Sequence, residues 1–460
     1  MPTLSPPKLS MVDLFAGCGG LSLGMENAGF TPVFVNELNK DALATYLANR
    51  HHDVGGKPFA DQQHLHCNDA NDLQGDRLER MVSDLSALGI EFPTLIETQS
   101  DSKPRVERGT LDLLAGGPPC QGYSGIGHRR SYSVDKKDLP SNQLYGRMAQ
   151  IIRRLRPRIF LFENVRGLLN SKWTREGDEL IWPDVLREFQ DIPGYQVRFT
   201  LVRASDYGVP QNRPRVLLVG IRDDIVEKSF SVDLGADQLD AVQCGFLPKP
   251  NPSEAPDLEE LLSDLVDLDV QQRLETQDFK SSKFQTTEYP RPPQTAIQQK
   301  LRQPPPVHEE RSNQLTDHEY SKHALRIVQK FKHMIEHGEI PAHARTKKFA
   351  QKVLPATWGN GRPTITATSM PDDYVHYSQS RVLTVREWAR LQLFPDWYRF
   401  EGKRTTGGIR RAGNPREGLF DREVPKYTQI GNAVPVGLSE RVGNNFKYII
   451  ESALNNVRKK

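Results

Sequence analysis

Cys120 stands in GGPPCQGYS (116–124), directly after LDLLAG (111–116), a short apolar run that reads as a strand. A cysteine is most often a small buried hydrophobe. Here it sits just past a strand's carboxyl end, where open α/β sheets place their ligands. The two prolines before it fix their own φ and restrict the residues preceding them. Such a backbone holds a nucleophile still, provided a low thiol pKa or a nearby proton acceptor supplies the thiolate. Glu163, in ENV (163–165), ends the next strand on the same rim. It is either a strand-end cap or an acid that binds and protonates a ring nitrogen. Arg213 and Arg215 in QNRPR (211–215) alternate by two and so face one side of an extended chain. They suit Glu163, a base carbonyl or a phosphate.

A second constellation lies upstream. DLFAGCGGLSLG (13–24) ends a strand, turns on glycines and opens a helix. Such a loop lets backbone approach a ligand closely and offers free N–H groups at a helix start. It is not G-x-G-x-x-G, and a glycine turn alone says little. Glu37, at the end of the second strand, suits the hydroxyls of a ribose. Asp69, closing the third, suits an adenine amine. Three consecutive strand ends with these groups point to an adenosine cofactor, and no Walker lysine accompanies them.

The elements that must position these groups alternate. Strands are expected at 10–15, 32–37, 65–69, 111–116 and 158–164, with helices in GGLSLGMENAG, KDALATYLANR, DLQGDRLERMVSDLSALG and QLYGRMAQIIRRL. Residues 195–204 and 215–221 read as an antiparallel pair closing the sheet. The expected class is α/β, a doubly wound, mostly parallel sheet. After about residue 225 proline-rich pieces interrupt isolated helical patterns such as 323–338, which marks a second, irregular domain.

The 460 residues suit two or three domains. No apolar run is long enough for a membrane span, and the N-terminus shows no secretory pattern. The four cysteines form no C-x-x-C pair and no zinc-ligand spacing, so neither a disulfide frame nor a metal is expected. A cytoplasmic protein is the resulting expectation. The net charge of +3 is weak evidence for a polyanionic partner. Its distribution says more: residues 141–162 hold five arginines and no acid, and 381–426 hold eleven Lys/Arg against six Asp/Glu.

The ordered set DLFAGCGG, NE (36–37), ND (68–69), PPCQGYS, ENVRGL, YGVPQNRPR, LTVREWARLQLFPDWY and QIGNAVP resembles the DNA (cytosine-5)-methyltransferases, notably bacterial modification enzymes. The resemblance implies the S-adenosylmethionine-dependent methyltransferase fold. It implies that Cys120 attacks carbon 6 of a cytosine flipped out of double-stranded DNA. Glu163 would then hold the N3/N4 edge, Asn164 orient the site, and Arg213 and Arg215 support the base and the glutamate. Phe15, Gly17, Gly19, Glu37, Asp69, Leu144, Asn432 and Val434 would contact S-adenosylmethionine. Gln121, Ser124 and Arg129 would belong to a loop closing over DNA, and Thr364 and Thr366 would contact the target. The implied domains are 1–224 (catalytic and cofactor-binding), 225–424 (target recognition) and 425–460 (returning to the first). A monomer is expected, with a cognate restriction endonuclease acting independently. The Asp69-to-Cys120 spacing is longer than in the family, and Tyr123 stands where Phe is usual. No additional N-terminal regulatory region is visible. Transfer-RNA cytosine-5 methylation on the same scaffold is the alternative, as is a catalytically silent DNA-binding relative. The long 225–425 region weighs against the first and the full set of catalytic residue types against the second. Thr384 and Glu387 form a capping-box pattern that starts a helix.

Overall fold

Four parallel strands end at one rim, and that rim carries the site. In the computed structural model β1 (Ser10–Leu14), β2 (Thr31–Asn36), β3 (His66–Cys67), β4 (Leu113–Gly116), β5 (Ile159–Val165), β6 (Tyr195–Arg203) and β7 (Pro214–Arg222) form one seven-stranded sheet, ordered β3-β2-β1-β4-β5-β7-β6. The structure describes residues 9–92, 110–119, 143–174, 177–230, 240–251, 255–279, 284, 286–345, 351–357, 373–406 and 423–457. Strands β1 to β5 pair in parallel, while β7 runs antiparallel to both β5 and β6. Leu14 pairs with Asn36 and with Gly116, and Gly116 with Phe162. The loops after residues 14, 36 and 116 therefore leave side by side, next to residues 163–165 that end β5.

Alternation along the strands feeds two cores, as the two-residue repeat requires. Val12, Leu14, Leu114, Phe160, Phe162 and Val216 face α3 (Gly75–Ala87), α4 (Leu144–Leu155) and α5 (Ile181–Gln190). Met11, Leu113, Ala115, Ile159, Leu161 and Leu217 face α1 (Gly20–Asn27), α6 (Asp223–Ser229) and the C-terminal helix Val436–Val457. The sheet is thus covered by helices on both faces, which is why its strands are apolar on both sides. The antiparallel closing pair and the strand–helix alternation match the sequence expectation. Ala241, Cys244, Phe246 and Leu247 pack in the second core, so the sheet's packing continues past residue 225. Among the described residues no helix is long and apolar enough to cross a membrane.

A third apolar cluster joins the two halves of the chain. Cys18 and Leu23 pack with Leu258, Leu261, Trp388, Phe394, Tyr398, Tyr427 and Val436. At its centre is the short helix Val385–Arg390, whose capping box is present: the Thr384 side chain accepts from the Glu387 N–H, and Glu387 reaches back to the Thr384 N–H. Glu387 is fully buried, pairs with Arg381 at 2.6 Å, and is held well below the usual carboxylate range by that guanidinium, against the opposing effect of burial. Arg390 bridges Asp264 and Asp396, both at 2.6 Å.

These pairs show where several of the charges counted from sequence are placed. Arg381, Arg386 and Arg390 are buried, with acidic or carbonyl partners within the protein. In the first basic stretch Arg153 pairs with Glu188, Arg154 with Glu79 and Arg158 with Asp112, and Arg156 donates to the Pro193 carbonyl. For the first stretch the acids come from other elements, Glu188, Glu79 and Asp112, so a linear count could not see them. For the second, Glu387 and Asp396 lie within the counted stretch and Asp264 outside it. These guanidinium charges are largely neutralised at home.

Candidate active site and cofactor loop

The chain leaves β4 through Gly117 and Pro118, and the next strand's last residues grip it there. A side chain on Gly117 would stand 2.8 Å from Oε2 of Glu163, so only glycine lets the carboxylate lie against this backbone. Asn164 Nδ2 donates to the Pro118 carbonyl at 3.2 Å, while its Oδ1 accepts from the Val165 N–H at 2.8 Å. Two consecutive residues of β5 thus fix the segment entering the Pro-Pro-Cys turn. Cys120 itself, with Gln121, Ser124, Arg129, Thr364 and Thr366, lies outside the described residues.

Glu163 is 9% exposed and meets Arg215 Nε at 2.5 Å. The register explains the meeting: Val165 pairs with Arg215 across the antiparallel β5–β7 ladder. Burial depresses the Arg215 pKa, and the charge of Glu163 opposes that. Arg213, two residues earlier and fully buried, donates to the carbonyls of Gly431 at 2.7 Å and Asn432 at 3.2 Å. Burial and then the neighbouring Arg215 push its pKa well down. One arginine therefore serves the glutamate, and the other ties the start of β7 to the returning helix Lys426–Asn432. Gln211, also buried, donates to the Leu391 carbonyl at 3.1 Å.

The glycine loop between β1 and α1 holds three left-handed residues: Phe15 (φ 56°), Gly17 (φ 57°) and Gly19 (φ 84°). Phe15 is the unusual one, since a side chain there costs energy that surrounding bonds must offset. Those bonds come from β2. Asn36 Oδ1 accepts from the Phe15 N–H at 3.3 Å, Glu37 Oε2 from the Gly17 N–H at 2.8 Å, and Glu37 Oε1 from the Asn39 N–H at 2.7 Å. Burial raises the Glu37 pKa, and those two amides oppose it. An ionised carboxylate has about four acceptor sites. Two are used by backbone, which leaves two for hydroxyl donors. Asp69 similarly accepts from the Asn71 N–H at 2.9 Å through Oδ1. Leu144 opens α4 half-buried, Asn432 is exposed and Val434 is buried.

The glycines divide the work that sequence reasoning gave them jointly. Only Gly17 among those at 17, 19, 20 and 24 has open space where a side chain would go. At Gly20 a Cβ would meet the Val434 carbonyl at 2.4 Å, and at Gly24 the Ser439 Cβ at 2.4 Å. Gly20 lets the start of α1 pack against the segment before the C-terminal helix, and Gly24 lets α1 pack against that helix itself. At Gly19 the occupants are Arg50 and Tyr398. Sequence reasoning also missed Gly117, although it stands within the quoted Gly-Gly-Pro-Pro. Its requirement comes from Glu163, a residue 46 positions away that no local pattern links to it.

A family model described as C-5 cytosine-specific DNA methylase matches residues 9–76 and 95–448. The Type II methyltransferase M.DdeI of Desulfomicrobium norvegicum is 27% identical over 459 aligned residues, covering 96% of this chain and 90% of that protein. The Type II methyltransferase M.XorII of Xanthomonas oryzae is 27% identical over 439, covering 94% and 83%. A solved structure of a prophage-encoded DNA modification methyltransferase of E. coli superposes with a TM-score of 0.59 at 21% identity, covering 98% of this chain and all of that one, and so shares the fold. The chain belongs to the C-5 cytosine-specific DNA methylases, enzymes that methylate carbon 5 of cytosine in DNA.

Proposed function

We propose that the chain takes its methyl group from S-adenosylmethionine and acts on a cytosine flipped out of a specific double-stranded sequence, with Cys120 as nucleophile. The observation that supports this reading most is the Glu163 carboxylate, held by Arg215 against the Gly117 backbone that leads into Cys120. The Cys120 thiolate adds to carbon 6 of the ring. Glu163 hydrogen-bonds the N3/N4 edge and, in its acid form, delivers a proton to N3 as the thiolate adds, so that no negative charge builds up on the ring. Asn164 orients the turn through the Pro118 carbonyl, and Arg215 keeps the glutamate in place. S-Adenosylmethionine, when bound, supplies an electrophilic methyl group for carbon 5. Cys120 departs as the thiolate once the proton on carbon 5 has been removed.

The cofactor fits the free capacity on the rim. Glu37 has two acceptor sites left for ribose hydroxyls, and Asp69 has Oδ2 for the adenine amine. Phe15, Gly17, Gly19 and Leu144 would border it, with Asn432 and Val434 of the returning segment beside them. Residues 225–424 would carry target recognition, with Thr364 and Thr366 at the base edges and Gln121, Ser124 and Arg129 on the loop over DNA. The role we propose is host-DNA protection in the cytoplasm, as a monomer beside an independently acting endonuclease; the relatives' naming as Type II methyltransferases supports the modification role alone.

The test is covalent capture. DNA copied with 5-fluorodeoxycytidine triphosphate carries fluorine where the proton must leave, which stalls release of the cysteine. Incubated with S-adenosylmethionine, the wild type is expected to form a denaturation-resistant adduct and Cys120→Ala none. An adduct with Cys120→Ala, or none with the wild type, would overturn the reading.

A further inference from the structure

The glycine loop is tied to β2 on one side. On the other it is tied by two residues distant in sequence. The Tyr398 hydroxyl donates to the Cys18 carbonyl at 2.5 Å. Arg50 Nη1 donates to that same hydroxyl at 2.6 Å, and Nη2 to the Gly19 carbonyl at 3.1 Å. Both side chains are completely enclosed, Tyr398 at 0% and Arg50 at 1% exposure. Arg50 is held in turn by Glu26 at 2.7 Å and by the face of Tyr46, 3.8 Å from the ring centre. Burial disfavours its charge, yet Glu26 and Tyr398 outweigh this and keep the guanidinium above its ordinary pKa.

The identity of residue 19 is an independent sign of this contact. A Cβ there would lie 2.6 Å from Arg50 Nη1 and 2.8 Å from the Tyr398 hydroxyl. The clamp comes closer to the loop than any side chain at 19 would allow. It also acts at an informative point. The Gly19 carbonyl accepts the first helical bond of α1, from the Leu23 N–H at 2.9 Å. A peptide unit is planar, so fixing the carbonyls of residues 18 and 19 fixes the directions of the next two N–H groups. With left-handed residues at 15, 17 and 19, the loop needs such outside bonds to keep one shape. Tyr398 is anchored from the distal half of the chain: Arg386 Nη2 donates to its carbonyl at 2.6 Å and to the Thr316 hydroxyl at 2.8 Å.

We infer that Tyr398, acting with Arg50, is a positioning residue for the cofactor loop: its hydroxyl holds the 18–19 peptide in the orientation that receives an adenosine cofactor. The inference deepens the cofactor reading above and rests on it. It makes the loop's binding geometry depend on a residue outside the seven-stranded sheet.

The test measures binding of S-adenosylhomocysteine by calorimetry and, separately, retention of random-sequence duplex DNA without cofactor. Tyr398→Phe removes one hydroxyl and keeps the ring. Tyr427→Phe is the control, because its buried hydroxyl donates to the Leu383 carbonyl at 2.7 Å in the same apolar cluster, away from the loop. The expected result is a roughly tenfold weaker cofactor affinity for Tyr398→Phe, the size of one lost buried hydrogen bond. DNA retention should be unchanged, and Tyr427→Phe should bind cofactor as the wild type does. Should Tyr398→Phe fold poorly, Arg50→Lys replaces it: lysine keeps the charge opposite Glu26 but loses the fork that reaches two acceptors. Equal cofactor affinity in the clamp variant and the wild type, or the same loss in clamp variant and control, would overturn the inference. No binding by the wild type would overturn the cofactor reading and this inference with it.

Discussion

The Glu163 carboxylate lies against the backbone of Gly117, with 2.8 Å between its Oε2 and the place a Cβ at 117 would occupy. The backbone leading into Cys120 and the acid proposed to serve the same base are therefore set against each other by a missing side chain. Gly117→Ala should displace Glu163 by about an ångström and lower kcat by roughly 10²-fold. The adenosine cofactor should bind as before. Single-turnover kinetics beside cofactor titration checks this, and unchanged turnover would contradict it.

Arg215 and Glu163 form a buried pair, so removing one partner strands the other. Arg215→Met should lower the unfolding free energy by about 3–5 kcal/mol. Adding Glu163→Gln should restore most of that stability and none of the turnover. Urea denaturation of the single and double variants reads the first effect, and a methyl-transfer assay the second. If the double variant were as unstable as Arg215→Met, the pair would not be the source of the loss.

The two uses of glycine after β1 predict different costs. Gly20→Ala and Gly24→Ala drive a methyl into backbone or Cβ atoms at 2.4 Å and should each cost about 3 kcal/mol by separating α1 from the 433–434 segment and from the C-terminal helix, respectively. Gly17→Ala meets open space and keeps only its left-handed strain, about 1 kcal/mol. Chemical denaturation ranks the three. The reverse order would contradict the packing described.

Acid should weaken the distal half through its enclosed histidines. His376 Nδ1 accepts from the Ser378 N–H at 3.1 Å, so the ring is neutral with its Nε2 toward Glu387, 3.5 Å away. Burial and then Arg381 push its pKa down to about 3, and burial likewise pushes His318 down to about 3. The unfolded chain takes up protons first, near pH 6.5. Each histidine thus costs stability as pH falls below 6.5, by up to about 1.4 kcal/mol per pH unit, until about pH 3. Glu387, depressed by Arg381, adds a loss of the same sign below about pH 4.5. His376→Gln should flatten the stability profile between pH 6.5 and 5. A profile as steep as the wild type's would contradict this.

What sequence made legible here was local or ordered. The strand–helix alternation, the antiparallel closing pair and the Thr384–Glu387 cap depend on neighbours in the chain, and each was read. The pairing of Arg381 and Arg390 was not, because a count of charges does not say which of them pair and become buried: Glu387 and Asp396 are only six residues away, whereas Asp264 reaches Arg390 from a distant segment. A linear count therefore gives net charge and not which of the arginines stay free of acidic partners. Gly19 looked like a ligand-facing turn residue, yet its missing side chain is occupied by Arg50 and by Tyr398, the latter 379 positions later. Spacing carries no trace of such contacts. The Asp69-to-Cys120 interval and the threonines at 364 and 366 fall partly or wholly outside the described residues.

The most direct test is base-resolution mapping of 5-methylcytosine in unmethylated genomic DNA treated with the protein and S-adenosylmethionine, beside a Cys120→Ala control. The account predicts methylation at one short sequence with the wild type and none with the control. Methylation that persists in Cys120→Ala, or DNA left unmethylated by a wild type that binds the cofactor, would contradict it.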